Sequence, residues 1–362
     1  MERLAPFVPN RRISALRRRL LAWYEREKRQ LPWRGTRDPY RIWVSEIMLQ
    51  QTTVEAVRRR YPAFLERFPN VASLARARED SVLAAWSGLG YYARARNLRR
   101  ASREILRRHG GSLPRDPETL RRLPGVGEYT ASAVAALAYG VRAPAADANV
   151  TRVLSRLLAI PGRADTRRHR SAVLDGVGRL LVAGRAGDLT VPLMDLGQGI
   201  CTARRPACAR CPVESACEGR RRGNPEAYPR KRPKPEPVRV AVAAAFVERG
   251  GRALLLRRRG GFLDGLWEFP SGPVAGPSRR AARAGLTRTL SSLGLARDPE
   301  PIASVRHTVV NRRLEIEVFR ARGRRQPLAE SVPAARWFSS RQLARAAIPT
   351  LTRKIARSVG FL

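Results

Sequence analysis

The sequence predicts two domains, a mainly α-helical one followed by a smaller α+β one. Three observations carry this. From residue 11 to 218, apolar residues recur at spacings of three and four, the period of a helix face. From 219 to 237 the chain reads GRRRGNPEAYPRKRPKPEP, rich in proline and charge and without period, as a linker does. Then comes a strand-like run, Val238–Val247, a Gly250-Gly251 turn and a second strand, Arg252–Leu256. The expected boundaries are therefore 1–218, 219–237 and 238–362, and a chain of 362 residues suits two domains of roughly 150 residues each.

The elements follow in order. Ile13, Leu16, Leu20 and Trp23 mark the first helix, and similar spacing recurs in Tyr61–Phe68 and Val82–Trp86. Pro32, Pro39, Gly110-Gly111, Pro114 and Gly140 punctuate the helical segments. Two further helices, Pro117–Leu123 and Glu128–Tyr139, flank a Gly-rich turn. Another follows Asp147, with Val150, Leu154, Leu157 and Leu158 on one face. In the second domain, Ile302–Val310 and Leu314–Arg320 read as strands. There is no internal repeat.

Composition narrows the class. Hydrophobic residues make up 43%, enough for real cores, which excludes wholesale disorder. No apolar run approaches the ~18 residues of a membrane span. Met1–Ser14 lacks a continuous apolar stretch, so no secretory signal is expected, and Gly360-Phe-Leu362 carries no lipidation motif. A soluble intracellular protein is the expectation. Lys+Arg number 71 against 30 Asp+Glu, a net charge of +41 with a pI near 11.8. The excess is almost all arginine, which binds phosphate bidentately. Nucleic acid is the commonest large polyanion, but an Arg-favouring genome would give the same excess, so charge alone is weak support.

Cysteine is more specific. Cys201, Cys208, Cys211 and Cys217 fall in one short run, C-x6-C-x2-C-x5-C. Four thiolates from one loop make a metal site. Structural zinc usually draws on two close cysteine pairs, and here there is a single C-x2-C. The irregular spacing suits a [4Fe–4S] cluster better than zinc. A loop pinned by metal would hold Arg204, Arg205 and Arg210 in fixed positions, as phosphate contacts require.

Three further features carry chemistry. Leu123-Pro-Gly-Val-Gly127 between two helices reads as a helix-hairpin-helix, in which Gly125, Val126 and Gly127 bring backbone N–H groups to a phosphate. The alternative is a plain Gly-rich corner. Glu46 has Ile42, Trp43, Leu49 and Gln50 as helical neighbours. A carboxyl among apolar neighbours has its pKa raised, which suits a general acid, although a lone helix Glu is more often a surface charge. Asp147, taken alone, is a helix N-cap.

In this order, Ser45-Glu-Ile-Met-Leu-Gln-Gln-Thr52, Leu123-Pro-Gly-Val-Gly-Glu-Tyr-Thr130, Ala146-Asp-Ala-Asn-Val-Thr-Arg-Val-Leu154 and the cysteine run resemble the endonuclease III-type superfamily of base-excision DNA glycosylases. Within it the likeness is to the A/G-mismatch adenine glycosylases of the MutY type, and it covers almost the whole chain. The resemblance implies a glycosylase that removes adenine opposite 8-oxoguanine or guanine in duplex DNA. It implies Glu46 as the general acid that protonates the base at N7 and Asp147 as the carboxylate that stabilises the sugar cation. Gln51 and Tyr91, the latter from Gly88-Leu-Gly-Tyr-Tyr92, would fill or wedge the gap, and Leu89 of the same run would meet the DNA. Trp33, Arg34 and Leu49 would form the adenine pocket. The four cysteines would hold a [4Fe–4S] cluster. A monomer in the bacterial cytoplasm, associated with the nucleoid and not with membrane, is the matching expectation.

Relatives that also cut the strand carry a lysine two residues after the hairpin's second glycine; here the position is Tyr129, and a phenol forms no imine. Gly265-Leu-Trp-Glu-Phe-Pro-Ser-Gly272 resembles the start of a Nudix box, yet no Asp or Glu occurs from Gly272 to Arg297, where a Nudix hydrolase needs carboxylates for Mg²⁺. The resemblance implies an 8-oxoguanine-recognition domain instead, with His307 at the DNA; a core or surface histidine is the plainer alternative. The chain departs from the family at two places. Val191 stands where a Gln or Glu helps read adenine. Val305-Arg306-His307 stands where Phe-Ser-His is usual.

Overall fold

The computed structural model describes residues 10–230, 232, 235–260, 263–272, 277–295, 299–322 and 335–362. It divides into two compact units: Met1–Ala75 with Arg100–Pro233, and Arg76–Arg99 with Lys234–Leu362. This differs from the division at a single linker, because the segment 76–99 groups with the C-terminal part.

Helices α1 (Asn10–Glu27), α2 (Pro39–Leu49), α3 (Val54–Arg67), α4 (Val71–Arg76), α5 (Glu79–Ala85) and α6 (Ala93–Arg108) come first. They are followed by α7 (Pro117–Arg121), α8 (Glu128–Tyr139), α9 (Ala148–Leu157), α10 (Arg167–Leu180), α11 (Gly187–Gly199) and the short α12 (Glu218–Arg221). The predicted face of α1 (Leu16, Leu20, Trp23) packs with Val150 and Leu154 of α9, Val173 and Val177 of α10, and Leu193 of α11. α2 is unlike the others, being buried along nearly its whole length from Tyr40 to Met48. A helix apolar all round belongs inside a protein. Asp38 starts it by accepting from the N–H groups of Tyr40 and Arg41, with Pro39 in the first turn, where its missing donor is harmless.

The stretch read as a linker begins folded. Besides α12 it holds a 3₁₀ turn at Pro225–Ala227, and Gly219 is buried against the backbone of Arg156. The Arg230 N–H donates to Gly162 O at 2.9 Å. A Pro- and Arg-rich composition signalled no periodicity, but capping and backbone pairing need none. Residues 231, 233 and 234 of that stretch lie outside the described residues.

In the second unit, β1 (Val238–Arg249), β2 (Arg252–Arg257), β3 (Trp267–Glu268), β4 (Glu300–Val309), β5 (Arg312–Arg322) and β6 (Ala335–Ser339) form a mixed sheet of order β3-β2-β1-β5-β4, with β6 also paired to β2. β1 and β5 run parallel; the other pairs are antiparallel. Alternation along β1 feeds two cores. Ala241, Ala243, Ala245 and Val247 pack with Ala282, Leu286 and Leu290 of α13 (Arg279–Ser292). Ala244 and Phe246 pack with Leu343 of α14 (Ser340–Arg345) and Ile355 of α15 (Thr350–Ser358). The sheet is thus covered by helices on both faces.

Gly272, which ends the Nudix-like motif, lies flat against α13. A Cβ there would stand 2.6 Å from the Leu286 nitrogen and 2.7 Å from the Gly285 carbonyl carbon. Neither is a side chain that can swing away. Gly272→Ala is expected to cost about 1–3 kcal/mol of this unit's stability, the usual toll of overpacking. An unchanged melting temperature would contradict the close approach.

Candidate active site

Glu46, Tyr129, Asp147 and Arg34 come together in the helical unit. Burial of α2 takes Glu46 with it, leaving its side chain buried and not on the surface. Tyr129, in the first turn of α8, donates its hydroxyl hydrogen to Glu46 Oε2 at 2.9 Å. Desolvation raises the Glu46 pKa above its ordinary 4.5; the Tyr129 hydrogen bond and the Arg34 charge pull it back, and the Asp147 charge raises it further. The Tyr129 hydroxyl is pushed well above 10, chiefly by burial and then by the Glu46 and Asp147 charges. It therefore keeps its proton and acts as a donor.

Asp147 is the N-cap of α9, as its position predicts, with Oδ1 accepting from the Val150 N–H at 2.7 Å. Its second oxygen accepts from Asn149 Nδ2 at 2.8 Å. A helix N-terminus favours a negative charge at this place. Asn149 in turn accepts from Arg152 Nη2 at 2.8 Å, and Arg152 Nε donates to the carbonyl oxygen of Cys201 at 2.7 Å. The capping carboxylate is thus joined by hydrogen bonds to the cysteine loop.

Asp195 went unnoticed in the sequence. It is buried on α11 and holds Arg34 at 3.0 Å and Arg29 at 2.8 Å through one oxygen. Its other oxygen and the Arg34 Nε are buried without a protein partner among the described residues. A lone acid inside Val191-Pro-Leu-Met-Asp-Leu-Gly197 was the available signal, since a charge in an apolar run needs a buried partner. Val191 stands one turn before it, half-buried. Trp33 is buried edge-on to Tyr61, with ring centroids 5.7 Å apart, and Leu49 is half-buried at the end of α2. Gln51 follows, exposed and in the left-handed region at φ 54°.

The hairpin joins α7 to α8 with Gly125 at φ +77°, a value that calls for glycine. Gly125 and Gly127 are exposed. The Val126 side chain is buried, and its N–H donates to Leu123 O at 3.1 Å. The outward donors are the first N–H groups of α8, which have no partner within the helix.

The four cysteines line one cavity of about 30 Å³, together with Ile200 and Arg156. Among the described residues, no three His, Cys, Asp or Glu side chains are placed as ligands of a metal ion. The surroundings are mixed: burial pushes the Cys211 thiol up to about 12 and raises that of Cys217, whereas Cys201 faces a cation. The buried Arg156 guanidinium points Nη1 at Cys201 Sγ, 3.4 Å away, and also donates to Thr202 O and Tyr228 O. Arg204, Arg205 and Arg210 are exposed on the same loop.

In the other unit, Tyr91 is 49% exposed while Leu89 is buried, so of the pair only Tyr91 presents its side chain. His307 is half-buried on β4, in a groove of about 700 Å³ that also holds Arg239, Arg306, Arg313, Glu315 and Lys354. Burial, and then the Lys354 charge, lower its pKa from the ordinary 6.5, which favours the neutral ring.

Sequence comparison decides the family. Residues 44–177 match the HhH-GPD superfamily of base excision DNA repair proteins, and 242–358 match a NUDIX domain. The human adenine DNA glycosylase is 34% identical over 95% of this chain and 74% of its own length. The chain belongs to the adenine DNA glycosylase family. The adenine DNA glycosylase of Mycobacterium tuberculosis is 41% identical over 66% of this chain and 76% of its own length. A solved structure of a thermostable thymine-DNA glycosylase superposes with a TM-score of 0.52 at 28% identity, covering 59% of this chain and 98% of that one. This adenine glycosylase family member is a base-excision DNA glycosylase with a helix-hairpin-helix domain and a Nudix-like one. No helix among the described residues is long and apolar enough to cross a membrane.

A raised Glu46 pKa has a cost in stability. Below about pH 4.5 the carboxyl is protonated whether the chain is folded or not, and nothing is lost. Above it the unfolded chain ionises freely while the folded one resists, so stability falls as pH rises toward the folded pKa. Glu46→Gln is expected to raise the melting temperature at pH 8 and leave it unchanged at pH 4. A gain at both pH values, or at neither, would refute this.

Proposed function

We propose that this enzyme excises adenine opposite 8-oxoguanine or guanine in duplex DNA, and leaves the strand intact. The buried Glu46 carboxyl, hydrogen-bonded by the half-buried Tyr129, carries this reading. A leaving adenine needs a proton, and a raised carboxyl pKa favours the protonated form that can supply it. Tyr129 occupies Glu46 Oε2, which leaves Oε1 to hold the proton for adenine N7. Asp147 offers a fixed negative charge to the oxocarbenium-like sugar, and water completes the hydrolysis, as in glycoside hydrolysis by paired carboxylates. The base must first be flipped out of the stack. Trp33, Arg34 and Leu49 would line the pocket that receives it, and Gln51 and Tyr91 would occupy the space it leaves.

Gly125, Gly127 and the first turn of α8 would grip a backbone phosphate without reading sequence. Cys201, Cys208, Cys211 and Cys217 would hold a [4Fe–4S] cluster, which fixes the loop bearing Arg204 and Arg205. In this reading 1–218 is the glycosylase domain and 238–362 the 8-oxoguanine-recognition domain. A neutral His307 suits base reading by hydrogen bond better than phosphate binding by charge. The enzyme would work as a monomer in the bacterial cytoplasm, on the nucleoid.

Glu46→Gln keeps shape and hydrogen bonding but has no acidic proton. Adenine release should fall by about 10²–10⁴-fold with DNA affinity nearly intact. Near-normal single-turnover cleavage would end the assignment. Because Tyr129 replaces the lysine of strand-cutting relatives, borohydride should trap no enzyme on DNA, and scission should need added alkali. A panel of A:8-oxoguanine, A:G, T:G and matched duplexes tests the substrate; release of thymine in place of adenine would overturn it.

A further inference from the structure

The Nudix-like motif Gly265–Gly272 has no metal carboxylates after it, so its place in the molecule needs another account. Its neighbours supply one. The Trp267 N–H donates to Ala347 O at 3.0 Å, fixing the short connection between α14 and α15. The next carbonyl along, that of Ile348, accepts from the Tyr92 hydroxyl at 2.8 Å. Tyr92 and Ile348 are both buried. Arg353, on α15, donates from Nη2 to the buried Ser87 hydroxyl at 3.2 Å. Arg257 of β2 pairs with Asp80 in α5 and donates to Gly265 O. Gly265, at φ +73°, lies so near α6 that a Cβ would stand 3.2 Å from Arg96 Nη2.

All these contacts bracket one loop. Gly88, Gly90 and Tyr91 have φ values of 96°, 68° and 46°, and the last is costly for a bulky residue. Such a loop keeps its shape only if its surroundings impose it. Arg94 does so from within, lying over the Trp86 and Tyr91 rings at 5.3 and 5.6 Å and donating to Leu89 O and Gly90 O. Tyr92 and Ser87, one on each side of the left-handed run, are held by the C-terminal fold.

We propose that the Nudix-like fold serves base excision as a brace for this loop, with Tyr92 and Arg353 as positioning residues that keep Tyr91 poised for insertion into DNA. This rests on the reading of Tyr91 as a wedge. The former nucleotide-site motif then acts through packing, with no metal and no hydrolysis.

The test uses the full-length protein and a duplex with 2-aminopurine beside the adenine opposite 8-oxoguanine. Its fluorescence reports unstacking when the base is flipped. Tyr92→Phe removes one hydroxyl and keeps the ring; Arg353→Met removes the charge and keeps the stem. Each is expected to slow unstacking by about fivefold, the value of one net hydrogen bond, with affinity for matched duplex unchanged. Arg353→Lys should recover most of the loss. In a Tyr91→Ala background neither change should slow unstacking further. Wild-type unstacking in both variants, or additive losses in the Tyr91→Ala background, overturns the brace alone. No effect of Tyr91→Ala by itself overturns the wedge reading, and the brace with it. A lowered melting temperature with wild-type unstacking assigns the contacts to stability only and also overturns the brace.

Discussion

Taking a carboxyl out of water is costly unless it finds hydrogen-bond partners, and the helical unit answers that constraint at Glu46. Glu46 sits on a helix buried along nearly its whole length. Burial alone would leave the group unconstrained, so Tyr129 fixes one of its oxygens. Arg34 limits the pKa rise and is itself anchored by Asp195 on another helix. Asp147 instead accepts hydrogen bonds from the α9 N-terminus and the Asn149 amide. The two carboxyl groups thus lie in different surroundings.

How much of this was legible depends on the range of the signal. The α1 face, the cysteine run and the strand at Val238 were readable because each is local. For Asp147 the local reading, a helix N-cap, is what the structure shows. Glu46 was ambiguous: apolar neighbours on a helix do not say whether anything covers them. Asp195 with Arg29 and Arg34, and Arg152 with the Cys201 carbonyl, join residues far apart in sequence, and no spacing rule reaches them. That the Val126 and Leu89 side chains are buried was not legible, because turn residues lack a period that would reveal which of them point inward.

The architecture of the C-terminal unit does not rest on a metal site. Its sheet, its two covering helical layers and the close approach at Gly272 depend on packing, and none of these needs a carboxylate. The core face of α13 is Ala282, Leu286 and Leu290, and its arginines are exposed. What the sequence concealed is that the segment 76–99 groups with this unit. Its ties run through a tyrosine hydroxyl and an arginine, and composition marks neither.

The parallel pairing of β1 with β5 has a consequence in time. Val238 pairs with Arg312, so the central ladder of the second unit cannot begin to close until the intervening hairpin and helix have been made. Parallel, distant pairings are slow to form. Tyr92 waits longer still, because its acceptor is the carbonyl of Ile348, 256 residues further along the chain. During synthesis the helical unit can bury Glu46 while the loop carrying Tyr91 still lacks that tether. The growing chain thus acquires its acid before its loop is set, and the order of synthesis places completion of that loop at the very end.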